Sequence, residues 1–216
     1  GAWVNLRGLF RRSEAVDIFA KEKIASAQKW SATNNGQHIE LGIAENNLFL
    51  MLAAAGLAGD FFGTRLAPIG TLYDPFIARG LDALNYACYQ DARFMIVATP
   101  SGVTLSPEGG AHQSIHTPLI GIGQPGLLSY EPAYVDELAV LMRHGFDYMQ
   151  QDKGGSVYLR LSTRSLPQPQ RTLSAEQEAN IVAGGYWYAP PEAGSDVAIV
   201  CMGAVTPEAI AAHESV

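Results

Sequence analysis

A carboxylate stands at the start of an almost fully apolar stretch in the first third of the chain. Residues 38–59 read HIELGIAENNLFLMLAAAGLAG, and Glu45 is the last charged residue before Asp60. The run after Glu45 predicts a helix that ends at Gly56 or Gly59. An acid in the first turn of such a helix complements the helix dipole. Beside apolar surface, the same carboxyl group is also suited to holding a proton for catalysis.

A second candidate site lies in a long segment rich in glycine and proline. Residues 100–132 show little periodicity and contain SPEGGAHQSIHT, which places Glu108, His112 and His116 among glycines. A loop of this length in a compact domain is usually functional, and histidine titrates near neutral pH. The alternative for each histidine is an exposed polar side chain. A zinc site is disfavoured because the spacing is not helical and the flanking glycines give little rigidity, so we predict no metal at these side chains.

Strands and helices alternate around these two stretches. RLAPIGTLY, FMIVAT and GSVYLRLST predict strands, and AYVDELAVLMRHGFDYMQQ predicts a helix. DPFIARGLDALNYACYQ predicts another helix, with Asp74 as its cap and Pro75 in its first turn. This order predicts an α/β fold with a mainly parallel sheet and helices on both faces. The glycine-rich segment directly follows FMIVAT, and ligands bind where such strands end.

Two parts of different composition are predicted. Residues 1–170 form the α/β domain, and residues 171–216 form a linker and the truncated start of a second α/β domain. The linker region RSLPQPQRTLSAEQEAN is rich in proline and glutamine, and the apolar run Val197 to Met202 predicts a strand. Because a parallel strand needs neighbours and covering helices, we interpret the sequence as a fragment of a longer protein.

Composition excludes several classes of function. The 216 residues carry a net charge of −7 from 14 basic and 21 acidic residues, without a basic run. A nucleic-acid partner is therefore not expected, because phosphate neutralisation needs clustered lysine or arginine. The longest apolar stretch has about twelve residues, too few for a membrane span of roughly 20. Cys88 and Cys201 are predicted to be buried thiols in a reducing compartment, which indicates the cytoplasm.

Three separated motifs together resemble the pyrimidine-binding domain of thiamine diphosphate enzymes of the transketolase superfamily. They are HIELGIAENNLFLMLAAAGL, PIGTLYDPFIARGLDALNYA and TPSGVTLSPEGGAHQSIHT, and they agree with that family in order and spacing. Within the superfamily, the sequence is most similar to the homodimeric type of pyruvate dehydrogenase. This type is the decarboxylating first component of the 2-oxo acid dehydrogenase complex. The segment LLSYEPAYVDELAVLMRHG supports the same branch.

The resemblance implies a catalytic role for Glu45. In this superfamily a glutamate at the matching position hydrogen-bonds a ring nitrogen of the cofactor's aminopyrimidine. Protonation there favours the imino tautomer, whose nitrogen then removes the proton from the thiazolium carbon. A carboxyl group must hold a proton near neutral pH to do this, and desolvation by Leu48, Phe49 and Leu52 would favour the protonated form. The alternative is an acid that only complements the helix dipole.

Five further residues carry over from the family. Phe76 matches the aromatic residue that stacks on the aminopyrimidine, and Tyr73 would form another wall of the site. The alternative for Phe76 is core packing. His112 matches a histidine of the active-site loop that binds the substrate carboxylate or reacting oxygen, or moves a proton. Glu108 matches an acidic position near the substrate channel, and His116 occupies a second histidine position.

The resemblance also implies a cofactor and partners. The family binds thiamine diphosphate through Mg²⁺, using a Gly-Asp-Gly motif followed by an asparagine, which we do not find here. In the family that motif belongs to an N-terminal domain, and the cofactor lies between that domain of one subunit and the pyrimidine-binding domain of the other. The implied protein is a homodimer that decarboxylates a 2-oxo acid, with pyruvate as the expected substrate. It would pass the acyl unit to a lipoyl-bearing acyltransferase component, and the fragment alone is expected to be inactive.

Two other functions remain open. A transketolase-type enzyme would transfer ketol units between sugar phosphates and would need basic residues at the channel mouth. Arg65, Arg79 and Arg93 are candidates, although the family often has an aromatic residue at the position of Arg79. The long loop carries no lysine or arginine, which argues against this function. The second alternative is a catalytically silent α/β module that holds a dimer together through apolar surface.

Overall fold

The computed structural model describes residues 2–13, 16–27 and 29–215, which fall into two compact units, Gly1–Ala44 and Glu45–Val216. The elements of the first unit are α1 (Ala2–Arg7), β1 (Leu9–Phe10), α2 (Ile18–Lys21) and β2 (Ala32–Thr33). Its two short strands pair in parallel, with Leu9 opposite Ala32. Leu9 also forms a bridge with His38, which adds a third short segment to this unit.

The second unit is built on a four-stranded sheet. Its strands are β3 (Ile69–Tyr73), β4 (Met95–Thr99), β5 (Leu127–Tyr130) and β6 (Ser156–Arg160). They lie in the order β3-β4-β6-β5, and every neighbouring pair is parallel. The helices are α3 (Glu45–Gly56), α4 (Ala58–Phe62), α5 (Leu81–Tyr89), α6 (Pro118–Gly123), α7 (Val135–Gln150), α8 (Ala175–Ala183) and α9 (Thr206–Glu214). Short 3-10 helices cover Asp74–Gly80, Ser106–Glu108, Gly110–His112 and Gly203–Val205. In the described part of the chain, no helix is long and apolar enough to span a membrane.

Helices cover both faces of this sheet, because successive residues of a strand point to opposite faces. On one face, Ile96 and Tyr158 pack in a core with residues of α3 and α5. On the other, Met95, Val157 and Leu159 pack in a core with residues of α7 and α8. The central strands are thus buried on both sides, as parallel strands require. The predicted α/β fold is confirmed.

The predicted strands in RLAPIGTLY, FMIVAT and GSVYLRLST are present as β3, β4 and β6, and the two long helices as α3 and α7. Residues 100–132, by contrast, contain more regular structure than the sequence predicts. Helix α6 and strand β5 both lie there, and β5 forms the sheet edge next to β6. A four-residue strand between glycines and prolines has too few alternating positions to be recognised.

The predicted capping role of Asp74 is wrong. Tyr73 takes the N-cap position of the 3-10 helix Asp74–Gly80, and Asp74 is completely buried. Its carboxylate instead accepts hydrogen bonds from the hydroxyls of Thr117 and Tyr158. A carboxylate removed from water needs strong donors, and here they come from distant parts of the chain.

The predicted strand Val197 to Met202 is absent. Val197 and Val200 are exposed, and the run pairs with no strand of the described residues. A strand requires hydrogen bonds from a neighbour, so an apolar run alone does not form one. Cys201 is exposed as well, contrary to the prediction, whereas Cys88 is buried and burial raises the pKa of its thiol to about 11. The domain boundary between residues 170 and 171 stays a prediction.

Candidate functional site

Polar residues lie at the carboxyl ends of the strands of the second unit. Tyr73 is the last residue of β3 and pairs in register with Thr99, the last residue of β4. β6 ends at Arg160, and Glu131 directly follows β5. Because all four strands are parallel, their carboxyl ends share one edge, where ligands bind in open α/β sheets.

Glu45 begins helix α3, and its side chain is only 10% exposed. The first turn of α3 lies close to the 3-10 helix that follows β3. A Cβ at Gly80 would lie 2.9 Å from the Glu45 carbonyl oxygen and 2.5 Å from Cδ2 of Phe49. Glycine therefore permits the contact that brings Glu45 beside the segment containing Phe76 and Arg79.

Arg79 joins Glu45 to the aromatic residues. Its guanidinium carbon lies 3.8 Å from the centre of the Phe76 ring, and its Nη1 lies 4.0 Å from Oε1 of Glu45. The Phe76 ring meets the Tyr73 ring edge to face, with 5.0 Å between the ring centres. Phe76 is half-buried with a cation over its face, so core packing does not describe its environment.

The long loop approaches the same group through His112. Nδ1 of His112 shares a hydrogen bond with the Tyr73 hydroxyl, and it lies 3.9 Å from Oε2 of Glu108. His116 is exposed, and its carbonyl accepts a hydrogen bond from the Leu119 amide at the start of α6. With Arg79 as the link between Glu45 and Phe76, the structure thus joins five of the six predicted site residues in one series of contacts: Glu45, Phe76, Tyr73, His112 and Glu108. It places the His116 side chain outside that series.

Near the carboxyl ends of the strands lies a buried ion cluster that the sequence did not predict. Asp74, Glu131 and Arg160, here called the Arg160 cluster, meet below the loop. Arg160 is 2% exposed, its Nη1 donates to the Glu131 carboxylate, and its Nε lies 3.5 Å from Oδ2 of Asp74. Burial raises the pKa of Glu131, and the positive charge of Arg160 opposes that shift only in part. A usable signal was an arginine inside the apolar run GSVYLRLST, since a buried charge needs partners.

Of the three arginines considered for the channel mouth of a transketolase-type enzyme, two lie elsewhere. Arg65 precedes β3 and Arg93 precedes β4, so both lie toward the amino ends of the strands. Arg65 donates to the Gln150 carbonyl at the end of α7, and Arg93 donates to the carbonyls of Gln151 and Asp152. Of the three, Arg79 alone lies with the predicted site residues. In the described part of the chain, no group of three His, Cys, Asp or Glu side chains is arranged to hold a metal ion.

Comparison with known proteins identifies the family of the chain. The family described as "Pyruvate dehydrogenase E1 component middle domain" matches residues 12–165. The chain belongs to this family. The matched range includes all six predicted site residues and the Arg160 cluster. The predicted resemblance to this branch of the transketolase superfamily is therefore confirmed.

Individual members of the E1 family show the same relation. The pyruvate dehydrogenase E1 component of Mycolicibacterium smegmatis is 30% identical over 99% of this chain and 23% of its own length. The E1 component of Escherichia coli K12 is 30% identical over 73% of this chain and 18% of its own length. The chain therefore spans about a quarter or less of these relatives.

Solved structures show the same fold. Transketolase from Pichia stipitis, in complex with sedoheptulose 7-phosphate, superposes with a TM-score of 0.73 at 17% identity. That match covers 92% of this chain and 29% of the transketolase chain. At this identity the likeness concerns the fold alone and says nothing of the reaction.

Proposed function

We propose that the protein provides the pyrimidine-binding side of a thiamine diphosphate site in an enzyme that decarboxylates a 2-oxo acid, with pyruvate as the substrate. The observation that carries the proposal is the series of contacts from Glu45 through Arg79, Phe76 and Tyr73 to His112. It sets a carboxyl group, aromatic rings and a titratable imidazole along one edge of the sheet. Membership of the E1 middle-domain family supports the same reaction.

The residues fit the cofactor's aminopyrimidine. Glu45 and Phe76 already hold one planar group that bears N–H donors, the guanidinium of Arg79, which lies over the ring and points toward the carboxylate. An aminopyrimidine is also planar and presents nitrogen atoms along its edge, so it suits the same two partners. Because the Arg79 side chain is 57% exposed, it can rotate into solvent when an aminopyrimidine binds in its place.

Each residue then has a defined task. Thiamine diphosphate, when bound, supplies the carbon nucleophile and the electron sink that loss of CO₂ from a 2-oxo acid requires. Glu45, whose side chain is only 10% exposed, would hydrogen-bond a ring nitrogen of the aminopyrimidine. His112 binds the substrate carboxylate or moves a proton, with Tyr73 holding its Nδ1 and Glu108 close by. His116 is assigned a lesser role at the loop surface.

The wider setting belongs to the same proposal. We propose a cytoplasmic homodimer in which Mg²⁺ and the diphosphate are held by an N-terminal domain outside this chain. A lipoyl group on an acyltransferase component accepts the acyl unit. Pyruvate and 2-oxobutyrate differ by one methylene, which an apolar pocket discriminates by roughly 1–3 kcal/mol.

The decisive experiment replaces Glu45 by Gln in the protein that contains this chain. With thiamine diphosphate and Mg²⁺, reduction of an artificial electron acceptor is followed with pyruvate, 2-oxobutyrate and 2-oxoglutarate. Turnover should fall about 10²- to 10⁴-fold, the usual contribution of a positioned proton donor. Asp82→Asn is the matched control, because Asp82 is an exposed first-turn acid of helix α5. That control should leave turnover unchanged.

Other outcomes assign the protein differently. Near-normal turnover in Glu45→Gln would leave this side chain as a helix-dipole acid. Ketol transfer between sugar phosphates, without turnover of any 2-oxo acid, would indicate the transketolase reaction. Silence in both assays, together with no response to the cofactor, would indicate a module that only holds a dimer together.

A further inference from the structure

We infer that Asp74 and Arg160 are positioning residues, which serve the proposed reaction by fixing the loop that carries His112. The inference deepens the proposed function and rests on it. Neither residue belongs to the series of contacts that runs from Glu45 to Glu108. Both lie directly below it, in the Arg160 cluster, and both are almost completely buried.

Arg160 holds the middle of the loop. Its Nη2 donates to the carbonyl oxygen of Ser114 at 3.0 Å and approaches the Ser114 hydroxyl oxygen at 3.4 Å. Ser114 in turn donates from its hydroxyl to the Pro100 carbonyl and accepts from the Gly102 amide. Ser114 thereby links the end of β6 to the residues that follow β4, two positions from His112.

Asp74 holds the far end of the same loop segment. Its Oδ2 accepts a hydrogen bond of 2.6 Å from the Thr117 hydroxyl, at the residue before α6. Tyr73, which precedes Asp74, shares a hydrogen bond with Nδ1 of His112. Tyr73, the last residue of β3, and Asp74, which follows it, therefore hold residues 112–117 at both ends. The ion pair between Asp74 and Arg160 fixes the distance between the contact at Ser114 and the contact at Thr117.

Apolar packing gives the loop little support of its own. Val103 and Ile115 are 47% and 70% exposed, and a Cβ at Gly109 or Gly110 would meet no neighbour within 4 Å. The polar contacts from below therefore determine where His112 lies. Stability alone gives little reason for burying these charges, because well-packed apolar residues often replace a buried ion cluster without loss.

The test compares two arginines, each of which is paired with two carboxylates. Arg160→Lys keeps the positive charge beside Asp74 and Glu131 but removes the fork that reaches Ser114. Arg171→Lys is the matched control, because Arg171 pairs with Asp136 and Glu137 and has no contact with the loop among its hydrogen bonds and ion pairs. For both variants, kcat and KM for the 2-oxo acid are measured. The nuclear Overhauser effect between the rings of Tyr73 and His112, whose centres are 5.8 Å apart, is recorded too.

Arg160→Lys should lower kcat about 10- to 100-fold, with a much smaller change in KM, because a catalytic group displaced by about 1 Å loses that much rate. The Tyr73–His112 ring contact should weaken in parallel. Arg171→Lys should leave both readouts as in the wild type. An unchanged kcat and ring contact in Arg160→Lys would overturn the inference, as would an equal fall in both variants.

A second variant guards against simple misfolding. Thr117→Val keeps the side-chain shape but removes the hydrogen bond to Asp74, and Ser156→Ala is its control. Ser156 is an equally buried hydroxyl at the opposite end of β6, bonded to the Ala92 carbonyl and the Phe94 amide. Loop amides near His112 should exchange hydrogen about tenfold faster in Thr117→Val and not in Ser156→Ala. Equal exchange in both would contradict the inference. If the wild type lacks turnover, the proposed function fails, while the ring contact and amide exchange still decide whether the loop is positioned from below.

Discussion

Two arginines of this chain each bind two carboxylates, and their surroundings differ. In the Arg160 cluster, the strand arginine and both acids lie beneath the loop, almost without exposure. In a second group, here called the Arg171 cluster, Arg171 pairs with Asp136 and Glu137 of helix α7 at 2.7 and 2.9 Å and remains partly exposed. The Tyr186 hydroxyl completes the second group through Arg171 and Glu137.

The pKa values of the two acids shift in opposite directions. Burial raises the pKa of Glu131 even though the charge of Arg160 opposes it. Burial acts in the same direction on Asp136, but hydrogen bonds from Arg171 and from the Glu137 amide outweigh it and lower that pKa. The pKa of the acid in an arginine–carboxylate pair is therefore dominated by desolvation in the Arg160 cluster and by attraction to the arginine in the Arg171 cluster. The first arrangement suits precise placement of a loop, and the second suits attachment of the chain around residue 171 to α7.

The largest effect is expected for Arg160→Met. This change leaves the carboxylates of Asp74 and Glu131 buried without their cation. Breaking a buried ion pair by removing one partner typically costs about 3–5 kcal/mol of unfolding free energy. Urea titration followed by circular dichroism measures the loss. A cost below about 1 kcal/mol would mean that water reaches the cluster and that the comparison with the Arg171 cluster has no basis.

Arg171→Met should cost less, about 1–3 kcal/mol, because the acids it leaves unpaired are partly hydrated. The loss should be accompanied by faster amide exchange in α8, since the hydrogen bond of Arg171 to Tyr186 closes the segment that contains this helix. Amide exchange and the same urea titration measure both. A cost equal to that of Arg160→Met would show that the exposure difference has no energetic consequence.

The sequence predicts the elements of the fold whose signal is local. Strands β4 and β6 are short apolar runs, and α7 repeats apolar residues at helical spacing, so each is legible without tertiary context. Val197 to Met202 has the same apolar character, but no strand of the described residues pairs with it, and the prediction there was wrong. Strand formation depends on a partner that local sequence does not identify.

Some residues of the site are predictable from sequence motifs, and others are not. Glu45, Phe76 and His112 can be predicted because they fall within motifs that resemble a known family, and the structure joins them through Arg79 and Tyr73. The Arg160 cluster was missed because its members are separated by long stretches of chain: Arg160 and Asp74 are 86 residues apart, and Arg160 and Glu131 are 29 apart. No spacing rule links such residues. The misread cap at Asp74 has the same cause, since a following proline is a local signal and the true partners are distant.

The pH dependence of stability should differ in sign between the clusters. The folded-state pKa of Glu131 lies above its ordinary value of 4.5, so the folded protein holds the proton more tightly. This stabilisation is complete below pH 4.5 and is lost as the pH rises through the folded-state pKa. The folded-state pKa of Asp136 lies below its ordinary value of 3.8. Its stabilisation is therefore present above pH 3.8 and is lost on further acidification.

Two variants separate these contributions. Glu131→Gln should remove a decline in unfolding free energy above pH 4.5, and Asp136→Asn should remove a decline below pH 3.8. One group contributes a slope of at most about 1.4 kcal/mol per pH unit. Denaturant titrations at a series of pH values measure the slopes. Slopes of the same sign for the two acids would contradict the assignment of desolvation to one cluster and attraction to the other.

The smallest effect is expected for a third ion pair, which tests whether contact distance alone sets the strength of these ion pairs. Nη2 of Arg143 lies 2.6 Å from Oε2 of Glu178, closer than Arg171 lies to either of its acids, yet these side chains are 63% and 37% exposed. Exposed pairs are screened by solvent and typically contribute only about 0.2–1 kcal/mol. A double-mutant cycle of Arg143→Ala and Glu178→Ala should give a coupling energy in that range, and it should diminish further in concentrated salt. A coupling as large as the loss in Arg171→Met would mean that contact distance, rather than burial, sets the strength of these ion pairs.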